Sequence, residues 1–124
     1  MSDREVRTIV VAEDEPAVRD LILITLRRNG YHALAAVDGR DAMRIIERLG
    51  DAVDLLISDL VMPGVGGLEL VALARAQLPR LPIVLITGYS QVQLPRGAEN
   101  ITLLAKPFTA RGLIGAVRGA SGET

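Results

Sequence analysis

The chain has no cysteine, so disulfide frameworks and thiol chemistry are both excluded. Its one histidine, His32, has no second histidine or cysteine with which to share a metal. Aromatic residues make up 2% of the sequence, too few for base-stacking platforms, so the core must be aliphatic. A net charge of −1, with no basic arm or acidic tail, argues against nucleic acid or an anionic membrane surface as a partner. No apolar run approaches bilayer-spanning length, and residues 1–5 lack the apolar core of a signal peptide. The expectation is a cytoplasmic protein.

What is present is one domain's worth of aliphatic sequence. The chain has 124 residues, 49% of them hydrophobic and 23% charged. It reads as a single domain over 1–124, with a core over about 7–118 and flexible tails over 1–6 and 119–124. Its organising stretch is Asp54-Leu55-Leu56-Ile57-Ser58-Asp59, followed by the turn residues Met62-Pro63-Gly64 and by Gly66-Gly67. A short apolar run bounded by turn residues predicts a buried strand, and here the strand delivers a carboxylate, Asp59, at its end.

The same pattern recurs along the chain. Strands are predicted over 8–12, 32–37, 54–58, 81–86 and 101–104. Helices are predicted over 16–29, opened by Pro16 and stopped by Gly30; after a cap at Asp38, up to Gly50; over 68–78; and after a cap at Thr109. Residues 90–100 contain Pro95 and Gly97 and predict only a short, broken or mobile fourth helix. Five strands alternating with helices imply a doubly wound α/β fold, with a parallel sheet covered on both faces by right-handed crossovers.

In such a fold the residues just past the strands meet at one edge, where open α/β sheets bind ligands. They are Glu13 and Asp14, Asp59, Thr87 and Lys106. Two like charges at ~4 Å cost about 4 kcal/mol at an effective dielectric near 20, so the three carboxylates call for positive charge beyond Lys106. A hard divalent cation such as Mg²⁺ takes oxygen ligands and meets that need. Asp14 is read as both a helix cap and a ligand. With the metal, Lys106 and the Thr87 hydroxyl around it, the edge is a pocket for a phosphoryl group. Asp59 can attack phosphorus there as a carboxylate nucleophile.

These residues resemble the receiver domain of two-component response regulators. The likeness rests on Glu13-Asp14, on Asp59 with Met62-Pro63 and Gly66-Gly67, on Thr87-Gly88 and on Lys106-Pro107-Phe108, in that order over most of the chain. It implies a flavodoxin-like sheet of order 2-1-3-4-5. It implies a phosphorelay role, in which Asp59 takes a phosphoryl group from a histidine kinase or histidine phosphotransfer protein. It further implies Mg²⁺ held by Asp14, Asp59 and the Val61 main-chain carbonyl, with Glu13 acting through water. Thr87 and Lys106 would contact the phosphoryl group, and the Lys106–Pro107 bond would be cis. Such a protein is a signalling phosphoacceptor rather than a turnover enzyme, catalysing only its own phosphorylation and slow dephosphorylation. Its effect would pass through a downstream partner, with homodimerisation left open.

Where many family members carry Tyr or Phe three residues before the lysine, this chain has Leu103, and Tyr89 is the nearest aromatic. Thr87, Tyr89 and Leu103 are therefore the expected switch positions. The alternative function is a degenerate receiver, a protein-interaction module independent of phosphorylation. A nucleotide or flavin binder would need a glycine- or hydroxyl-rich loop in place of Glu13-Asp14-Glu15. An aspartyl phosphatase usually has a second acid where Val61 stands.

Overall fold

The computed structural model describes residues 6–88, Leu94 and residues 100–122. Strand β1 (Thr8–Ala12) is a β-branched run buried from its second residue onward. Helix α1 (Pro16–Arg28) opens on proline, which has no N–H to leave unsatisfied, and ends with Arg27 and Arg28 at the negative end of its dipole. Strand β2 (His32–Ala36) is a half-exposed edge strand that leaves His32 at the surface. In α2 (Gly39–Leu49) the Asp38 carboxylate caps the first turn, accepting the Asp41 N–H at 2.8 Å. Strands β3 (Leu55–Asp59) and β4 (Ile83–Thr87) are buried throughout, with α3 (Gly67–Gln77) between them. Strand β5 (Ile101–Ala105) leads into α4 (Ala110–Ser121), capped by the Thr109 hydroxyl, which accepts the Gly112 N–H at 2.9 Å.

All five strands are parallel, in the order β2-β1-β3-β4-β5. The alternation of side chains across the sheet builds two cores. Val10, Leu56, Ile83 and Leu85 face α2 and α3, packing with Ile46, Leu70 and Ala74. Ile9, Val11, Ile57, Val84 and Ile86 face α1 and α4, packing with Ile22, Leu26, Leu113 and Val117. Each such side chain taken out of water contributes about 1.5–3 kcal/mol. The sheet, its order and the helices on both faces are those the sequence implied.

Three local expectations are corrected or bounded. The residue at the N-cap of α1 is Glu15 rather than Asp14, and it makes no side-chain cap. The last helix does not fray at Gly119; it continues to Ser121 and ends at Gly122, whose φ of 81° suits glycine. Burial of Leu113, Ile114 and Val117 holds that helix despite its glycines. The weak helix expected over 90–100 falls outside the described residues, apart from Leu94, which packs on the α2/α3 core, and Asn100.

Candidate functional site

The connection after β1 returns over one face of the sheet and that after β3 over the other, so the crevice at the C-terminal ends of these two strands is the topological switch point. Asp59 is the last residue of β3 and is 5% exposed. Its main chain is tightly held. The Leu60 N–H donates to the Ile86 carbonyl at 2.8 Å, and the Gly67 N–H donates to the Leu60 carbonyl at 2.9 Å. A β-carbon at Gly67 would collide with the Asp59 carbonyl oxygen and lie 2.8 Å from Leu60 Cα, so α3 can begin here only with glycine. Gly64, with φ at 75°, makes the preceding turn.

The expected carboxylates do meet. One oxygen from each of Glu13, Asp14 and Asp59 lies within 4.8 Å of the others. Lys106 Nζ donates to Asp59 Oδ2 at 2.8 Å and stands 3.8 Å from Glu13 Oε1. The Lys106 N–H donates to the Thr87 carbonyl at 2.8 Å, which ties the start of the β5–α4 loop to the end of β4. The Lys106–Pro107 bond is cis. Asp59 Oδ1 accepts the Val61 N–H at 3.4 Å, a long bond.

Glu13 is fully buried. Its Oε2 accepts the Glu15 N–H at 3.0 Å, whereas Oε1 is buried with no hydrogen-bond partner among the described residues. Burial pushes this carboxyl from 4.5 up to about 7. The Asp59 charge adds to the rise, and the Glu15 N–H and the Lys106 ammonium oppose it. Lys106 is raised as well: burial works against its charge, but the hydrogen bond and charge of Asp59 outweigh it.

An all-oxygen anionic donor set at this spacing fits a hard divalent cation that keeps several waters. The orphaned Glu13 oxygen fits too, because a buried acceptor without a partner is costly and a metal-bound water would satisfy it. Asp14 is half-buried, and with the cap role gone its carboxylate remains available to such an ion.

Thr87 ends β4 and is 3% exposed. Val61 is exposed beside Asp59. Of the expected switch positions, Leu103 on β5 is 44% exposed and Tyr89 lies outside the described residues. Sequence reasoning missed Arg19, whose Nη1 donates to the Glu13 carbonyl at 2.8 Å. The available clue was a cation near the start of a helix, where acids are favoured.

A family model described as the response regulator receiver domain matches residues 9–118. The response regulator protein FleR of Pseudomonas aeruginosa is 35% identical over 121 residues, covering 93% of this chain and 25% of that protein. The sensor kinase CckA of Brucella abortus is 34% identical over 114 residues, covering 90% of this chain and 12% of that protein. The chain therefore spans a quarter or less of the length of these two relatives. Among solved structures, the receiver domain of a hybrid histidine kinase CckA superposes with a TM-score of 0.80 at 38% identity, covering 92% of this chain and 98% of that one. The Vibrio cholerae chemotaxis protein CheY4 superposes with a TM-score of 0.83 at 25% identity, covering 94% and 99% respectively.

Proposed function

The chain belongs to the response regulator receiver domain family, and from that premise we propose that it is a phosphoacceptor whose reactive group is the Asp59 carboxylate. The observation that carries the reading is the meeting of Asp59, Glu13, Asp14 and Lys106 at one strand edge. A degenerate receiver would be expected to lack one of them.

In this reading Asp14, Asp59 and the Val61 main-chain carbonyl hold Mg²⁺, with Glu13 acting through a water. The metal, when bound, supplies charge neutralisation for the oxygens of the entering phosphoryl group. The remaining work falls to the chain. Lys106 stays fully charged at neutral pH and offsets negative charge beside Asp59. The Asp59 carboxylate attacks phosphorus, forming an O–P bond. The N–P bond to the donor's imidazole breaks, and the imidazole keeps the electron pair and takes a proton. The Thr87 hydroxyl donates to the transferred group, and Lys106 pairs with it.

The donor is a phosphohistidine on a histidine kinase or phosphotransfer protein. A protein surface for it is available on α1, which starts at the site edge and exposes Leu21 and Ile24. Beyond the phosphorylation step the chain signals to a protein partner. Exposed Val61 offers no polar group to guide a water onto the acyl phosphate, so self-dephosphorylation is slow. A cytoplasmic location belongs to the same proposal; among the described residues no helix is long and apolar enough to cross a membrane.

The test is incubation with Mg²⁺ and acetyl phosphate, read by intact-protein mass spectrometry. One phosphoryl adduct is expected on the wild type and none on Asp59→Asn. A wild type without an adduct would overturn the reading. Rapid loss of the adduct, at a rate unchanged by Val61→Asn, would overturn the slow hydrolysis.

A further inference from the structure

Arg19 has no part in the chemistry above, yet its guanidinium is committed to the acidic turn. It is the fourth residue of α1 and is half-buried. Its Nη1 reaches back six residues to the Glu13 main-chain carbonyl at 2.8 Å. That end of the helix carries the positive pole of the dipole, where a cation is disfavoured. The bond is therefore made against the field of its own helix. Two other hydrogen bonds hold the turn: the Glu13 N–H to the Ala36 carbonyl at 3.1 Å, and the Glu15 N–H to Glu13 Oε2 at 3.0 Å. Asp14, between these anchors, makes no hydrogen bond of its own among the described residues. Its course is set by what holds its neighbours, and the Arg19 bond grips the carbonyl of the peptide that joins Glu13 to Asp14.

We propose that Arg19 is a positioning residue for the divalent cation, fixing the Glu13-Asp14 turn so that the Asp14 carboxylate faces Asp59 across the metal position. The proposal rests on the phosphoacceptor reading above. It makes a prediction opposite in sign to that of simple electrostatics. A nearby positive charge repels a divalent cation, so removing Arg19 as a charge alone would tighten metal binding. Removing it as a positioning group loosens binding, as loss of a partner that orients a ligand typically does, by ten-fold or more.

The experiment is isothermal titration calorimetry with Mg²⁺ at fixed ionic strength, on wild type, Arg19→Ala and Arg19→Lys, with melting temperatures of all three in EDTA. Arg19→Ala is expected to weaken Mg²⁺ binding roughly ten-fold, with Arg19→Lys recovering most of it because its ammonium can still donate to the Glu13 carbonyl. Tighter binding by Arg19→Ala would overturn the proposal. So would unchanged affinity with only a lower melting temperature in EDTA, since that is a structural role alone. If Arg19→Ala does not fold, Arg19→Lys and Arg19→Gln make the same comparison, and equal affinities for those two would overturn it. A wild type that binds no Mg²⁺ refutes the phosphoacceptor reading itself. A wild type that binds, alongside an Arg19→Ala that binds equally well, refutes only the role given to Arg19.

Discussion

Strands β3 and β5 both bring a charged group to the site, but they are held differently. β3 runs through the middle of the sheet with all five residues buried, paired to β1 on one side and β4 on the other. Among the described residues β5 is an edge strand paired only to β4, and none of its residues is fully buried. Asp59 thus sits at the end of a fully buried strand paired on both sides. Lys106 sits just past a strand with one free edge, anchored by its N–H to Thr87 and by its ammonium to Asp59. Chemistry needs a fixed nucleophile; transmission needs a neighbour with slack. On the phosphoacceptor reading, the two strands would divide these requirements.

The contrast can be broken by mutation. Ile57→Ala in β3 removes a fully buried side chain between two paired strands and is expected to cost about 4 kcal/mol in urea unfolding. Gly67→Ala tests the grip on Asp59. Its methyl group has backbone rather than a flexible side chain in the way, so a loss of about 3 kcal/mol is expected, with slower uptake of the phosphoryl group from acetyl phosphate. A neutral outcome there would mean that the Asp59 main chain can shift.

Glu13 gives a pH test of the same region. In metal-free protein its carboxyl titrates at about 7 rather than 4.5. Between those values the unfolded chain has released a proton that the folded chain keeps, so stability falls as pH rises through this window and levels off above it. The expected loss is about 2 kcal/mol, at about 1.4 kcal/mol per unit with allowance for relaxation. Thermal melts in EDTA from pH 4.5 to 8 measure it; Glu13→Gln should flatten the slope, and Mg²⁺ should oppose it. The smallest effect belongs to the edge strand. Leu103→Ala, at a 44% exposed position, is expected to cost less than about 1 kcal/mol. A cost matching that of Ile57→Ala would remove the distinction between the two strands.

The sheet was legible because its strands are continuous aliphatic runs ended by turn residues, and the convergence of Glu13, Asp14, Asp59, Thr87 and Lys106 followed from the parallel arrangement alone. Less legible were features set by tertiary contacts. The N-cap position of α1 belongs to Glu15, which makes no side-chain cap and whose own N–H donates to the Glu13 carboxylate, a contact made by the folded turn. The length of α4 was understated because its glycines lower helix propensity while the burial of Val117 restores it. Arg19 went unread, since its one local clue, a cation in the first turn of a helix, does not say that it reaches back to the preceding turn.

The close seating of Gly67 against Asp59 and Leu60 has one further consequence. If Asp59 is the phosphoacceptor proposed above, this seating makes it a fixed address. On that reading a group arriving on Asp59 would find little room to displace the strand beneath it, because the first turn of α3 is already pressed against that backbone. The message must be read by whatever can approach the new charge and be held there. On the phosphoacceptor reading proposed above, the protein would display a mark rather than pass on a push, with the freer neighbours as its readers.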